Sequence, residues 1–252
     1  MILGALKDKG AVTVTGIAEQ CAVSCETVRR DLIYLEGQGV LRRVFGGAVT
    51  NPVHGTFPDL MSRRGSRKIQ KEAVARKLSE LIREGDVLSL DAGTTALEIA
   101  MMLRTNFRNL TVLTYSLEVF RMLQEHFTVL LTGGEYYARE GIFHGEIACK
   151  AASELHTGMC ILCPSAIDPE SGIEDYLPCA APVQRALMLH SDRVIVAADS
   201  AKYGSRALIR LCDVSPAHLY LTDGELDRET AEAFQRKGLT LLQGGCDAEG
   251  KV

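Results

Sequence analysis

Two pairs of arginines near the start of the chain have the side-chain chemistry that binds nucleic acid. Arg29 and Arg30 lie in the stretch VSCETVRRDL at 23–32, and Arg42 and Arg43 follow it closely. A guanidinium group donates paired hydrogen bonds to phosphate oxygens and to the acceptor edge of guanine in the major groove. The two pairs therefore indicate a DNA-binding surface, provided that the fold exposes them together.

The spacing of apolar residues predicts a helix that exposes the first arginine pair. Val28, Leu32 and Leu35 recur at i, i+4 and i+7, which is the pattern of one buried helical stripe. Ser24 occupies the position of an N-cap, where its hydroxyl can accept a hydrogen bond from a first-turn N–H group. The exposed face then carries Glu26, Thr27, Arg29 and Arg30. The same arrangement is also found on helices whose charged face only contacts solvent.

The second arginine pair lies on a predicted strand. The segment LRRVFGGA at 41–48 places Arg42 and Arg43 in extended chain before Gly46 and Gly47 turn it back. A helix that enters the major groove, followed by a basic hairpin that contacts the DNA backbone, is typical of a winged helix-turn-helix. We predict such a DNA-binding domain over 1–50. Its predicted DNA-binding residues are Ser24, Glu26, Thr27, Arg29, Arg30, Arg42 and Arg43.

The distribution of charge favours a nucleic-acid partner at one end of the chain. The 252 residues carry a formal net charge of −4. Residues 1–66 hold eight Lys and Arg against six Asp and Glu, whereas the remaining residues hold 20 against 26. A mildly basic head on an acidic body fits DNA binding by the head alone. Because the excess is small, we expect tight binding to need two heads on one site, and therefore a homo-oligomer.

The composition gives no sign of a membrane, metal or cofactor partner. No apolar run approaches the roughly 18 residues of a membrane span, and no signal peptide opens the chain, so we expect a cytoplasmic protein. In that compartment the eight cysteines should be reduced thiols. Cys160 and Cys163 have metal-like spacing, but the run MCILC resembles a buried strand, and no second pair or spaced histidine completes a zinc site.

The chain changes character after a short segment that breaks all periodicity. Residues 51–66 hold two prolines and two glycines, and we predict a linker there. From 67 to 252, short apolar runs such as DVLSLD, LTVLT and RVIVAA alternate with helical stretches. This alternation predicts an α/β domain with a mainly parallel sheet that is covered on both faces.

Polar and glycine-rich loops follow several of these predicted strands, where α/β proteins bind ligands. The clearest is DAGTT at 91–95, which closes one strand and opens a helix. First-turn N–H groups and the hydroxyls of Thr94 and Thr95 could hold a phosphate there, although threonine is also a common N-cap. Similar loops contain Tyr115 with Ser116, Gly133 with Gly134, and Lys202. Lys202 could neutralise a phosphate, or it could be an ordinary surface lysine.

These motifs together resemble the DeoR family of bacterial transcriptional regulators. The family's recognition helix reads close to V-S-x-x-T-[IV]-R-R-D-L and its wing ends in R-x-x-G-G-A. The residues that match are Val23, Ser24, Thr27, Val28, Arg29, Arg30, Asp31, Leu32, Arg43, Gly46, Gly47 and Ala48. In the family, the first helix is usually longer than the one that starts here at Ile2. The resemblance implies a repressor of carbohydrate or nucleoside catabolism that binds operator DNA and responds to a phosphorylated sugar.

The second half resembles the DeoR sensor domain, which is similar in fold to ribose-5-phosphate isomerase and to acyl-coenzyme A transferases. It matches at Lys71, 91–95, Gly133, Gly134, Gly145, Asp168, Gly172, Asp199, Ser200, Lys202 and Gly204. The implied effector-binding residues are Asp91, Gly93, Thr94, Thr95, Tyr115, Ser116, Gly133, Gly134, Asp168 and Lys202. The resemblance assigns effector sensing and oligomerisation to residues 67–252.

Five positions depart from the family pattern. Tyr115 replaces the usual Asn, Ala166 a usual Gly, and Ala201 a usual Ser or Thr, while Ala180 and Gln184 replace a common Glu and Lys. These substitutions retain the phosphate end of the implied pocket and alter its sugar end. The effector therefore does not follow from the family, and a body that only oligomerises is an alternative. A second alternative is a sugar-phosphate isomerase or transferase that uses Asp168, Glu174 or Asp175 as a general base.

Overall fold

The computed structural model describes residues 2–9, 11–37, 41–44, 46–50, 59–215 and 217–245. The chain divides into two compact units, Met1–Pro58 and Asp59–Val252. Each unit has a hydrophobic core of its own, and each is described separately below.

The first unit is a small helical domain with a three-stranded antiparallel sheet. Its elements are α1 (Ile2–Lys9), β1 (Ala11–Thr13), α2 (Val14–Cys21), α3 (Cys25–Gly37), β2 (Leu41–Val44) and β3 (Gly47–Thr50). The strands are ordered β1-β3-β2, so the hairpin of β2 and β3 forms the predicted wing. Gly46 joins them with a φ of +76°, a left-handed conformation that glycine adopts without strain. The predicted winged helix-turn-helix fold is confirmed.

The apolar stripe of α3 packs into the core of this unit as predicted. Val28 and Leu32 are each 1% exposed, and Leu35 packs against the same cluster. At the start of α3, the Ser24 hydroxyl accepts a hydrogen bond from the Thr27 N–H at 3.1 Å. This cap stabilises the first turn of the recognition helix, and the buried stripe fixes which of its faces is exposed.

The second unit alternates helices and strands, as the sequence predicts. Its helices are α4 (Leu60–Arg63), α5 (Lys68–Ser79), α6 (Thr94–Asn106), α7 (Leu117–Leu123), α8 (Gly145–Glu154), α9 (Ala181–Leu189) and α10 (Arg228–Arg236). Its main strands are β4 (Val87–Leu90), β5 (Thr111–Thr114), β6 (Thr128–Leu131), β9 (Met159–Leu162), β12 (Val194–Ala197), β14 (Leu219–Asp223) and β15 (Thr240–Gly244).

These main strands form one parallel sheet in the order β15-β14-β12-β9-β4-β5-β6. Side chains from both of its faces are buried in two apolar clusters, one of which contains Leu88 and the other Leu113. Burial on both faces explains why β9 and β12 are apolar without alternation. The predicted α/β architecture is confirmed.

Short antiparallel strands border the main sheet. β7 (Glu135–Tyr137) and β8 (Ile142–His144) form a hairpin, while β10 (Ala166–Asp168), β11 (Gly172–Asp175) and β13 (Ile209–Cys212) form a three-stranded sheet. The segments around these strands carry several of the predicted site residues.

The predicted linker needs a correction. Residues 51–58 lie outside the described residues, but residues 59–66 belong to the second unit. The Asp59 carboxylate accepts a hydrogen bond from the Ser62 N–H at 2.8 Å and so caps α4. Leu60 is only 4% exposed and joins the main core. The segment lacks apolar periodicity because a single buried leucine anchors it.

In the part of the chain that the structure describes, no helix is long and apolar enough to cross a membrane.

Candidate DNA-binding and effector sites

The recognition helix α3 presents the predicted DNA-binding side chains on its exposed face. Glu26, Thr27, Arg29 and Arg30 are all exposed. Arg29 and Glu26 form an ion pair at 3.4 Å, with side chains that are 59% and 64% exposed. A pair so open to solvent contributes little stability, so both groups can turn towards DNA. The arrangement displays donors and an acceptor from neighbouring helical turns.

Arg43 in the wing is held by the recognition helix. Its backbone N–H and its Nε each donate a hydrogen bond of 2.8 Å to the carboxylate of Glu36, near the end of α3. Glu36 therefore links strand β2 to α3. Arg42 lies next to Arg43 on β2, opposite Val49 of β3, but its side chain lies outside the described residues.

The carboxyl ends of the parallel strands bring together most of the predicted effector-binding residues. Because neighbouring strands run in the same direction, the loops after β4, β5, β6, β9 and β12 lie at one edge of the sheet. After β4, Gly93 has a φ of +94° and α6 begins at Thr94. No side chain caps this helix start. First-turn N–H groups without a cap are a suitable site for an anion.

Asp91 closes β4 and is nearly fully buried, with 1% exposure. Its carboxylate accepts hydrogen bonds from the backbone N–H groups of Ala92 and Cys163, both at 2.8 Å. It also accepts from the buried Tyr115 hydroxyl and, at 3.2 Å, from Nε2 of Gln184. Burial raises the pKa of Asp91 to about 6. Through these contacts, the Asp91 carboxylate links the ends of β4, β5 and β9.

Two departures from the family pattern, Tyr115 and Gln184, therefore contact the same carboxylate. Gln184 lies on α9 and is 2% exposed. Its Nε2 also donates to Asp175 at 2.9 Å. The sequence marks both substitutions as altering the sugar end of the pocket, and the structure places them side by side.

Ser116 and the glycine pair have local structural roles at this edge. The buried Ser116 hydroxyl accepts from the Val119 N–H at 3.3 Å and caps α7. Gly133 and Gly134 follow β6 with φ values of +66° and +108°. A Cβ atom on Gly134 would lie 2.5 Å from the His144 carbonyl oxygen, which is closer than packed atoms approach. Gly134 thus permits close packing of this loop against the start of α8.

The Asp168 carboxylate takes no part in the hydrogen bonds around Asp91. Its carboxylate accepts from the Glu170 and Ser171 N–H groups at 3.0 and 2.7 Å and so closes the turn between β10 and β11. Its neighbour Ile167 bonds through its carbonyl to the Gly204 N–H at 2.8 Å. The turn is therefore connected to the loop that carries Lys202. Within the described part of the chain, the Asp168 carboxylate forms its hydrogen bonds with the Glu170 and Ser171 N–H groups and none with the other predicted site residues.

Two lysines form the positive part of this edge. Lys202, in the 3₁₀ turn after β12, is half-buried, and desolvation lowers its pKa. Lys71, on α5, is 5% exposed, and its Nζ donates to the Ser66 carbonyl. Burial lowers the pKa of Lys71 to about 8; nearby Asp199 raises it and the charge of Lys202 lowers it further. Lys71 also interacts with Glu98, one turn beyond Thr94 on α6.

Asp199 organises this positive cluster. It accepts from Nε of Arg67 at 2.7 Å, and its charge acts on both Lys71 and Lys202. Arg67 is also paired with Glu225 at 3.1 Å. Asp199 thus faces three cations, Arg67, Lys71 and Lys202.

Sequence analysis did not select Lys71 as a binding residue. Lys71 appears there only as a match to the pattern of the DeoR sensor domain. Lys71 is buried because α5 packs against α6 and β14. Contacts between separate elements do not follow from the local sequence pattern.

Comparison with known proteins assigns the chain to a family. Residues 66–224 match the sequence profile described as the DeoR C-terminal sensor domain, which covers more than half of the chain. Residues 1–52 match the DeoR-like helix-turn-helix domain. The chain belongs to the DeoR family. This DeoR-family protein is a DNA-binding transcriptional regulator with a sensor domain, and it is not an enzyme.

Curated relatives match along nearly the whole chain. A glycerol-3-phosphate regulon repressor from Escherichia coli K12 is 31% identical over 88% of this chain and 88% of its own length. A putative aga operon transcriptional repressor from Escherichia coli O157:H7 is 28% identical over 96% and 91%. Among solved structures, ribose 5-phosphate isomerase A from Neisseria gonorrhoeae matches 54% of this chain and 53% of its own, with a TM-score of 0.40 and 15% identity.

The carboxylates suggested for the enzyme alternative are already engaged. Glu174 accepts from Arg206 and from the Ala207 N–H at 2.6 Å. Asp175 accepts from Ser165 at 3.0 Å and from the Tyr176 N–H at 2.6 Å. Cys160 is buried on β9, where desolvation raises its pKa to about 12. Among the described residues, no group of three or more His, Cys, Asp or Glu side chains could hold a metal ion.

Proposed function

We propose that this DeoR-family protein is a repressor of carbohydrate catabolism genes that a phosphorylated sugar releases from operator DNA. The observation that carries the proposal is the pairing of Lys71 with Lys202, because Lys71 also interacts with Glu98, one turn beyond the uncapped start of α6. We further propose residues 1–50 as the DNA-binding domain and the described part of 59–252 as the sensor. A regulator of this kind acts on the chromosome, in the cytoplasm.

The lysine cluster supports a phosphate ligand. Lys71 and Lys202 repel each other in a partly buried setting, and a phosphate dianion between them relieves that repulsion. The N–H groups at the start of α6, with the hydroxyls of Thr94 and Thr95, supply directed donors to the same anion. The left-handed Gly93 lets the backbone approach it.

The names of two relatives support repression as the direction of regulation. Two of them, from Escherichia coli strains, are named repressors, one of the glycerol-3-phosphate regulon and one of the aga operon. A regulon named after a phosphorylated three-carbon compound is consistent with a site whose main anchor is a phosphate. The carbon skeleton is then recognised by the residues beyond Asp91, where this chain carries Tyr115 and Gln184.

We propose that the protein binds DNA as a symmetric homo-oligomer. The exposed face of α3 is short, and the charge excess of residues 1–66 is small. Two heads on one duplex raise the affinity through effective concentration and read two half-sites about one helical turn or more apart. Light scattering at micromolar concentration, with and without DNA, tests this. A monomer under both conditions would contradict it.

The experiment for the effector follows the release of DNA. A labelled duplex, selected from a random pool by binding to the protein, is titrated with a panel of triose, pentose and hexose phosphates while fluorescence anisotropy is recorded. We expect at least one compound to release the DNA. Lys71→Ala and Lys202→Ala should abolish that response, whereas Lys150→Ala, at a side chain that is 74% exposed on α8, should retain it. Normal release from both pocket variants would disprove the phosphate site.

A further inference from the structure

The second unit begins with a segment that follows directly on the unit with the recognition helix. The first unit ends at Pro58 and the second begins at Asp59. Residues 59–67, the entry segment, contain α4, and α5 starts directly after them at Lys68. Because the chain is continuous, a displacement of the entry segment moves the point from which the chain runs back to the DNA-binding unit.

The front end of the entry segment is fixed to the hairpin of β7 and β8. The Leu60 N–H donates a hydrogen bond to the Arg139 carbonyl at 3.4 Å. Arg63 forms an ion pair with Glu140, which is only 4% exposed. Arg139 and Glu140 both lie in the turn between these two strands. The charge of Arg63 also acts on the two lysines of the proposed phosphate site, so this end of the segment borders that site.

The rear end of the entry segment is fixed by the guanidinium group of Arg67. Its Nε donates to the Asp199 carboxylate at 2.7 Å. Its Nη2 donates to the Ser200 hydroxyl at 2.7 Å and to Glu225 at 3.1 Å. The fully buried Asp223 lies 3.7 Å from the same nitrogen. Hydrogen bonds between charged groups are among the stronger ones, and here they tie one side chain to the ends of β12 and β14.

Arg67 also has an unusual backbone conformation. Its φ and ψ are +51° and +40°, in the left-handed region that residues other than glycine rarely adopt. Among the described residues other than glycine, only Ala22 shares a positive φ. Such a conformation persists where the surrounding contacts determine it. Because no side-chain hydrogen bond caps α5 at Arg67, we attribute the conformation to the contacts of the guanidinium group.

The contacts of Arg67 are shared with the proposed phosphate site. Asp199 pairs with Arg67, and its charge acts on both Lys71 and Lys202. Nζ of Lys71 also donates to the Ser66 carbonyl, which belongs to the entry segment. A phosphate dianion on the two lysines competes with the Asp199 carboxylate for the cations around it. Binding of a phosphate therefore changes the forces that hold the entry segment.

We propose that Arg67 couples effector binding to the DNA-binding unit through the position of the entry segment. This inference rests on the proposed phosphate site and adds the path by which its occupancy reaches the first unit. Without ligand, the carboxylate and hydroxyl partners of Arg67 hold the segment as in the structure. With a phosphate on the two lysines, the partners of Arg67 change and the segment moves. Arg67 is thus a positioning residue, whose loss separates the two binding events without abolishing either.

Arg67→Gln tests the coupling, because it removes the charge and keeps most of the side-chain length. The selected duplex is titrated with the panel of triose, pentose and hexose phosphates, and calorimetry measures ligand binding without DNA. In the wild type, we expect at least one compound to weaken DNA binding tenfold or more. In Arg67→Gln, the same compound should weaken it twofold or less, while the separate affinities for ligand and DNA stay within fivefold of wild type. Arg76→Gln removes the same charge from an exposed site on α5 and should keep the tenfold effect.

The outcomes separate this inference from the proposed function. Full release of DNA from Arg67→Gln overturns the coupling role and leaves the phosphate site in place. Loss of ligand binding by Arg67→Gln also overturns it, because Arg67 would then belong to the ligand site itself. Failure of every compound to release DNA from the wild type overturns the proposed function and this inference with it.

Hydrogen exchange measures the entry segment itself, without any ligand. In Arg67→Gln, the amides of 59–67 should exchange tenfold or more faster, while those of β4 and β9 exchange as in the wild type. Unchanged rates in the segment overturn the inference, since its position would then not depend on Arg67. Glu225→Ala removes one of the same contacts at a side chain that is 49% exposed, and should give a smaller rise and a partial loss of coupling. This variant replaces Arg67→Gln if circular dichroism shows that Arg67→Gln does not fold.

Discussion

Arg30 and Arg43 are both predicted to contact DNA, but their surroundings differ. Arg30 is exposed on α3, whereas Arg43 is tied to Glu36 at the base of the wing. If Arg30 reads a base edge, Arg30→Ala should weaken specific binding by about 1–3 kcal/mol and leave binding to random DNA almost unchanged. Gel-shift titrations on selected and random duplexes measure the two affinities. An equal loss on both would remove Arg30 from the reading surface.

Arg43→Ala should act differently, because a phosphate contact carries no sequence information. We expect the affinity for selected and random duplexes to fall by the same factor. The slope of log affinity against log salt concentration should also become shallower by about one unit. Titrations at several salt concentrations measure that slope. A loss confined to the selected duplex would instead make Arg43 a base-reading residue.

The buried carboxyl of Asp91 makes stability depend on pH. Its pKa is raised to about 6 in the folded protein, against about 3.9 in an unfolded chain. The folded state therefore holds this proton more tightly than the unfolded chain does. The stability that the protonated carboxyl group contributes is present below about pH 4 and is lost as the pH rises through about 6. The predicted loss is on the order of 2–3 kcal/mol.

Urea unfolding of wild type and Asp91→Asn at pH 4.5 and pH 7.5 checks this prediction. The variant is expected to be less stable at both values, because its amide cannot accept every hydrogen bond that Asp91 accepts. The difference in the free energy of unfolding between wild type and variant should nevertheless be smaller at pH 7.5. At that pH only the wild type has a buried carboxyl group that ionises, and this ionisation destabilises its fold. Asp192→Asn, at a side chain that is 70% exposed, should show no such narrowing. A constant or growing difference for Asp91→Asn would contradict the raised pKa.

At the scale of elements, Glu36 should determine how the wing is held against α3. Glu36→Ala removes both hydrogen bonds to Arg43, and because these side chains are about two-fifths exposed the loss should be only about 1 kcal/mol. We expect the ratio of specific to non-specific DNA affinity to fall roughly fivefold. Glu19→Ala removes the same charge from an exposed site on α2 and should leave the ratio unchanged. If both variants behave alike, the effect is one of net charge.

The loop after β6 should tolerate no side chain at Gly134. Gly134 and Gly85 both have positive φ, at +108° and +91°, but only Gly134 has a backbone atom within 3 Å of a built Cβ. Alanine at Gly85 should cost about 1–3 kcal/mol from backbone strain alone. Alanine at Gly134 should cost at least about 1 kcal/mol more, because the loop must move away from α8. Urea unfolding of the two variants gives the comparison, and equal losses would disprove the close approach.

The elements were more predictable than the contacts between them. The stripe of Val28, Leu32 and Leu35 predicts α3 because helical periodicity is local in sequence. The hydrogen bonds from Tyr115 and Gln184 to Asp91 join residues 24 and 93 positions apart, so no spacing rule reveals them. Burial of Lys71 depends likewise on the packing of α5. The linker prediction failed at 59–66, where one buried side chain, Leu60, is too weak a pattern to detect.

At the scale of the whole molecule, sensing requires that binding of the ligand changes the free energy of DNA binding. The proposed effector-binding residues Thr94 and Lys202 lie in the second unit, and the recognition helix lies in the first. A ligand that lowers DNA affinity does so only because it binds the DNA-free form more tightly than the DNA-bound form. Closure of the loops after β4 and β12 around a phosphate is the change that we expect to alter how the sensor domains pair, and with it the spacing of the DNA-binding heads.

Thermodynamic linkage makes the last prediction quantitative. The factor by which the best sugar phosphate weakens DNA binding must equal the factor by which DNA weakens binding of that ligand. Anisotropy of labelled DNA at saturating ligand gives the first factor, and calorimetric ligand titrations with and without saturating DNA give the second. Thr94→Ala and Lys202→Ala should bring both factors towards one while leaving DNA affinity without ligand within about twofold of wild type, since neither residue belongs to the DNA-binding unit. A variant that still releases DNA at the wild-type ligand concentration would place the phosphate elsewhere. Unequal factors in the wild type would mean that the ligand and DNA are not linked through a single equilibrium.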